Sequence, residues 1–258
     1  CLLLLSACSD VARELTYEPP RKSGSQMQEK LWSVGPLDGP PITIAVYGFA
    51  DRTGQRKSSD RIALLSTAVT QGAEAWVVNA LWDVGKGTWF QVVERGGLDN
   101  LVKERQIIRT TRDLYKSDEG NALPPLKFAG VLLEGGIIGY DSNIVTGGSG
   151  ARFLGIGAKT EYRSDQVTIA MRLVSVQSGQ VVLAVATEKK IYSVSAGGDM
   201  FKFVDAGLHP LEIELGFSAN EPANQAVRLA VEAGVLELVS QGIERQLWRV
   251  RGDGSVPK

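Results

Sequence analysis

Two stretches of this chain alternate in polarity residue by residue, and that pattern limits the possible folds more than any other feature. From residue 151, Leu154, Ile156, Ala158, Thr160 and Tyr162 alternate with Gly155, Gly157, Lys159, Glu161 and Arg163, ending at Asp165. Residues 138–146 supply a partner strand, and Gly147-Gly148-Ser149-Gly150 supplies the turn. The theme recurs in residues 187–195, followed by Gly197-Gly198 and then Phe201 and Phe203 about Lys202. Beyond them Leu211, Ile213, Leu215 and Phe217 alternate with Glu212, Glu214 and Gly216. Hairpins are therefore expected at about 137–166 and 186–218. Strands of about ten residues with one apolar and one charged face have the length and period of membrane barrel walls. Four such strands cannot close on themselves. In hydrocarbon every unpaired backbone group costs several kcal/mol, so a barrel would need hairpins from several chains. The same alternation also describes an antiparallel sheet with one face on a core and the other in water, and both readings stand at this point.

Around these segments the pattern is that of an α/β domain. Residues 42–49 (ITIAVYGF) are β-branched and alternating, and 51–61 form a polar loop. Residues 66–82 carry Val69, Ala73, Trp76, Val77, Ala80 and Leu81 at helical spacing, with Gly85 and Gly87 as terminators. A strand over 89–94 and an amphipathic helix over 98–108 follow, so strand and helix alternate. Residues 167–176 and 181–186 read as core strands joined at Ser178-Gly179. The last helix is capped by Asn220, has Pro222 in its first turn, and lines up Val227, Ala230, Val231, Gly234, Val235 and Leu238. It ends near Gly242, after which Trp248 and Val250 are expected to tuck against the body. The fold class expected is α+β, with an α/β domain over 42–258 into which the two hairpins are inserted.

Both cysteines fall within the opening CLLLLSAC, so neither a disulfide framework nor a cysteine-rich zinc site is available to the body. Leucines, small residues and a cysteine in that order read as the end of a signal peptide. Leu5-Ser6-Ala7-Cys8 resembles a bacterial lipobox, which implies removal of 1–7, a lipid on Cys8, and outer-membrane sorting with Ser9 in the next position. Residues 8–41, rich in Pro, Ser, Gly and charge, read as an irregular arm between lipid and body.

Several function classes fall away. With 28 basic and 29 acidic residues the net charge is −1, which gives no pull toward nucleic acid. No apolar run reaches the roughly 18 residues of a membrane-spanning helix. The single histidine, His209, lies beside Pro210 with no triad or metal-binding company. Gly155-Ile156-Gly157-Ala158-Lys159-Thr160 fails as a phosphate loop, because Phe153 and Ala158 stand where glycines are required. The carboxylates are spaced as a strand face, not as a facing acid/base pair. Neither an enzyme nor a cofactor is indicated.

Longer segments resemble the curli secretion-channel lipoproteins (CsgG-type). They include IAVYGFADRTGQRK (44–57), STAVTQGAEA (66–75), VVERGGLDNLVKERQIIR (92–109) and LEGGIIGYDSN (133–143). GARFLGIGAKTEYRSDQ (150–166), FKFVD (201–205) and GFSANEP (216–222) continue the match in order. The resemblance implies a periplasmic ring of α/β domains beneath an outer-membrane barrel built from two hairpins per copy. About nine copies of four strands would reach the size class of the largest known barrel, 36 strands. Lys159, Glu161, Arg163, Asp165, Glu212 and Glu214 would then face the lumen. Leu154, Ile156, Tyr162, Leu211, Ile213, Leu215 and Phe217 would face lipid. The implied passengers are secreted fibre or adhesin subunits, with periplasmic or surface accessory proteins as further partners.

In that family the loop after the first strand narrows the pore with rings of Tyr, Asn and Phe. By position those rings fall near Ser59, Leu64 and Leu65, so the aromatic and amide chemistry is absent here. Arg56, Lys57, Ser58, Asp60, Arg61 and Ile62 fill the rest of the loop. That departure is similar to the holdfast-anchor (HfaB-like) branch, which anchors or exports adhesive surface proteins, and the two passengers are not separated by the sequence. A lipid-tethered periplasmic adaptor that binds partner proteins without forming a pore is the alternative.

Overall fold

The computed structural model describes residues 24–54, 69–115, 123–146, 161–195, 201–206, 213–217, 222–252 and 257. The lipobox with Cys8 lies outside these residues. So do the loop residues from Arg56 to Leu65, and Leu154, Ile156, Lys159, His209, Leu211, Glu212 and Asn220.

The first described element is one the sequence reading took for irregular arm. Helix α1 (Gln26–Ser33) starts at Ser25, whose hydroxyl accepts from the Gln28 N–H at 2.9 Å. Ser25-Gln26-Met27-Gln28 fits the S-x-x-Q capping signature, the signal that the flanking prolines obscured. Leu31, Val34 and Leu37 are buried in the common core, and Leu37 bridges Val250. The body therefore begins no later than Ser25, and not at residue 42.

Strand β1 (Ile42–Asp51) follows, and then helix α2 (Ala73–Asp83), shorter than the span 66–82 expected from periodicity. Val69 is buried, as its place in the stripe implied, but ahead of the helix. Thr70 Oγ1 accepts from the Gly72 N–H at 3.1 Å, a local side-chain bond that competes with helical pairing and delays the start. A 3-10 turn (Val84–Gly87) ends α2 where Gly85 and Gly87, both at positive φ, permit it. Strand β2 (Phe90–Val93) pairs with β1 in parallel, completing a β-α-β crossover. Helix α3 (Leu98–Tyr115) runs seven residues past its expected end, and none of its residues is buried.

The rest of the sheet comprises β3 (Val131–Thr146), β4 (Glu161–Ser175), β5 (Val181–Ser195), β6 (Phe201–Ala206) and β7 (Ile213–Phe217). The order is β2-β1-β3-β4-β5-β6-β7, parallel at β1 with both neighbours and antiparallel from β3 onward. Helix α4 (Pro222–Glu244) lies across β4 and β5, beside α2 and α1. Its Val227, Ala230, Val231, Val235 and Leu238 meet Ile137, Val167, Ile169, Met171 and Leu183 in one core, as the stripe predicted. Gly234 sits against Met171, and a Cβ there would come within 2.9 Å of Met171 Cε. Trp248 packs edge-on against Trp89 and Phe90 at 6.2 and 6.3 Å, and its Nε1 donates to Val239 O at 2.9 Å. No helix among the described residues is long and apolar enough to cross a membrane.

Candidate functional site: the sheet beyond the helix layer

The hairpins are not insertions between core strands, because the core strands themselves run on as the hairpins. β3 pairs with β1 only as far as Ile137 and then continues to Thr146. At about 3.4 Å per residue, residues 139–146 extend roughly 25 Å past that point, comparable to the apolar band of a membrane barrel. β4 and β5 are likewise continuous, so the expected junctions near 166 and 186 are not breaks in the chain's path. Beyond Ile137 no strand among the described residues pairs with the β1-side edge of β3.

Pairing in this upper sheet runs without a bulge, so the two-residue period is carried unbroken across the strands. Val145, Tyr162, Val194, Lys202 and Phe217 are successive partners, as are Asn143, Ser164, Tyr192, Val204 and Leu215. The intervening rows are Ile144, Arg163, Ser193, Phe203 and Gly216, and then Ser142, Asp165, Ile191, Asp205 and Glu214. Tyr162, Ile213, Leu215 and Phe217, expected toward lipid, thus fall in one register set. Glu161, Arg163, Asp165 and Glu214, expected toward the lumen, fall in the other. Asn143, Ser164 and Lys202 interrupt the first set, and Ile144, Ile191 and Phe203 interrupt the second.

Two expectations are corrected here. The second hairpin, expected over about 186–218, carries a further strand: residues beyond β5 form both β6 and β7, which pair antiparallel with Asp205 opposite Glu214. His209 and Pro210 lie in the interval between them, and proline, with no N–H to donate, does not continue a ladder. Asp165, for which the resemblance implies a place in the lumen, is wholly buried in the single chain. Its carboxylate accepts a hydrogen bond from Tyr140 Oη at 2.8 Å, with Tyr140 itself 5% exposed. Asp165 lies two residues above Val167, low enough on the strand to be covered by the body. Tyr140 was missed because its role depends on a strand bulge that polarity patterning does not reveal.

The arm side of the body is held by two carboxylates. Asp83 accepts from Gln28 Nε2 at 2.8 Å and from Trp32 Nε1 at 2.7 Å. Glu232 accepts from Ser25 Oγ and, at 2.8 Å, from Arg228 Nε, both ion-pair side chains being 5% exposed. The Arg228 guanidinium lies 4.9 Å from the centre of the Trp76 ring. A main-chain clasp adds Asp38 N–H to Arg249 O and Arg251 N–H to Pro36 O, each at 2.8 Å.

With this geometry in hand, likeness to known proteins is informative. The family described as "Curli production assembly/transport component CsgG" matches residues 35–256. The curli production assembly/transport component CsgG of Salmonella typhimurium strain LT2 is 38% identical over 249 residues, covering 96% of this chain and 88% of that protein. The protein of the same name from Escherichia coli strain K12 matches with the same identity and coverage. Among solved structures, the PelC dodecamer from Paraburkholderia phytofirmans covers 78% of this chain and 90% of its own, at 13% identity and a TM-score of 0.31. That structural likeness is too slight to bear on the fold. The family comprises transport and secretion components, not enzymes, and on a match that spans almost the whole chain this protein belongs to the CsgG family of curli production assembly/transport components.

Proposed function

We propose that this chain forms an oligomeric outer-membrane channel that exports or anchors extracellular fibre or adhesin subunits by diffusion through a constricted pore. The observation that carries this reading is the edge of β3 from 139 to 146, left without a strand partner among the described residues, on a ribbon whose register keeps Tyr162, Ile213, Leu215 and Phe217 apart from Glu161, Arg163 and Glu214. An open edge of that length is a liability in a lone chain and a joining surface in a ring. A second copy supplies its partner, and head-to-tail repetition closes the barrel. About nine copies with four strands each is the size we assign.

In the assembled channel Lys159, Glu161, Arg163, Glu212 and Glu214 line the lumen, with Asp165 at the foot of that row. Leu154, Ile156, Tyr162, Leu211, Ile213, Leu215 and Phe217 meet lipid. The α/β body stands in the periplasm, tethered by a lipid on Cys8, and the loop from Arg56 to Leu65 narrows the passage. Opposite substitutions test the assignment. Ile213→Arg places a charge in lipid at a cost of about 2–4 kcal/mol near the midplane and is expected to abolish the heat-resistant oligomer. Glu161→Arg is expected to assemble normally and change ion selectivity in planar bilayers. Equal tolerance of both substitutions contradicts membrane insertion.

A further inference from the structure

We infer that Asp51 is a clasp that joins the two ends of the segment between β1 and α2 and so positions the loop it carries. β1 ends at this residue. Asp51 is the register partner of Ile137, and the Arg52 N–H donates to Ile137 O at 2.9 Å, so the departing chain is held to β3 as far as its last paired position. The approach is close. A Cβ at Gly136 would collide with Ala50 O and lie 3.4 Å from Arg52 Nε, so glycine is what lets the end of β1 lie against β3 here.

From that anchored point the Asp51 carboxylate reaches in two directions. Its Oδ1 accepts from the Thr53 N–H at 2.9 Å and from Thr53 Oγ1 at 2.7 Å, the turn an aspartate makes with a backbone donor two residues on. Gly54 follows at φ +66°, a left-handed conformation that glycine adopts without strain, and the chain turns away. Its Oδ2 accepts from Gln71 Nε2 at 3.2 Å, 20 residues later, just before α2. The same Gln71 Nε2 donates to Val69 O at 3.3 Å, and Val69 is 2% exposed, so the returning end is seated in the core. One carboxylate therefore bridges the departure and return points of residues 54–70, and hydrogen bonds to an ionised acceptor are the stronger kind. In the proposed channel the loop from Arg56 to Leu65 narrows the passage, and a rotation at its base would displace every residue it presents there. The positioning role rests on that pore reading, whereas the clasp itself is testable in any state of assembly.

The test compares wild type with Asp51→Ala, Gln71→Ala and the double variant, as full-length protein extracted in detergent. Amide hydrogen exchange reads the clasp, and unitary conductance in planar bilayers reads its effect on the passage. Asp51→Ala is expected to speed exchange about fivefold both at Thr53 and across 70–72, with Arg52 unchanged because its N–H is held by β3. Either single substitution is expected to broaden the spread of unitary conductance, and the double variant to match Asp51→Ala, since both remove one shared bridge. Asp51→Asn is expected to restore the narrow spread, its amide oxygen serving Thr53 and its NH2 group meeting a reversed Gln71 amide. Faster exchange at Thr53 with 70–72 unchanged would reduce Asp51 to a local turn and overturn the clasp. So would additive effects of the two substitutions on conductance, or a Gln71→Ala channel identical to wild type. The pore reading fails separately, if wild type forms no channel, and the exchange at 70–72 then decides the clasp alone.

Discussion

Glu232 shows how much of this body turns on single buried groups. Its two oxygens serve Arg228, four residues earlier on α4, and Ser25, the N-cap of α1, so one carboxylate joins two distant helices. Removing one partner of a buried ion pair typically costs about 3–5 kcal/mol. Glu232→Ala is therefore expected to lower unfolding free energy by that amount in chemical denaturation of the detergent-solubilised protein. A loss below about 1 kcal/mol would mean that the pair is solvated. At the other end of the chain, Cys8→Ala is expected to abolish fatty-acid labelling in cells, and retained label would remove the lipid anchor from the model of the channel. Residue by residue, the sequence marks apolar positions well, as with Trp248, Val235 and Val69. The burial of Asp165 it does not show, because alternation reports which side of a strand a residue belongs to and not how much of the strand is covered.

At the scale of elements, the strand-helix-strand opening and the long final helix were legible, since each carries a full period of apolar residues. α1 was not, because two turns of helix between prolines bury only Gln28 and Leu31, and a stripe that short has no visible period. The division of the last hairpin into β6 and β7 was also hidden, since alternation continues on both sides of His209-Pro210. It has a consequence for assembly. β3, β4, β5 and β6 run alternately up and down, so in the proposed ring β6 of one copy would meet β3 of the next antiparallel. With β7 at the edge the seam would be parallel, unlike every other pairing of the upper sheet. We expect β7 to leave β6 when the ring closes. Cysteines at Asp205 and Glu214, directly opposite in the single chain, should cross-link in unassembled protein and fail to do so in the oligomer. Efficient cross-linking in both would mean that β7 stays in place and the wall is built from five strands.

For the whole molecule, the proposed channel divides one sheet between two environments. Its lower part is covered by α1, α2 and α4, and membership of the CsgG family places it among secretion components. The upper part leaves that cover with a β3 edge that no strand among the described residues pairs, and in the proposed channel neighbouring copies and a lipid surround complete it. The most direct measurement is electron-microscope imaging, down the axis, of the full-length protein extracted from outer membranes. A closed ring of about nine subunits around a water-filled centre is the predicted result. Dispersed single copies, with residues 139–146 and 161–166 open to water, would contradict it.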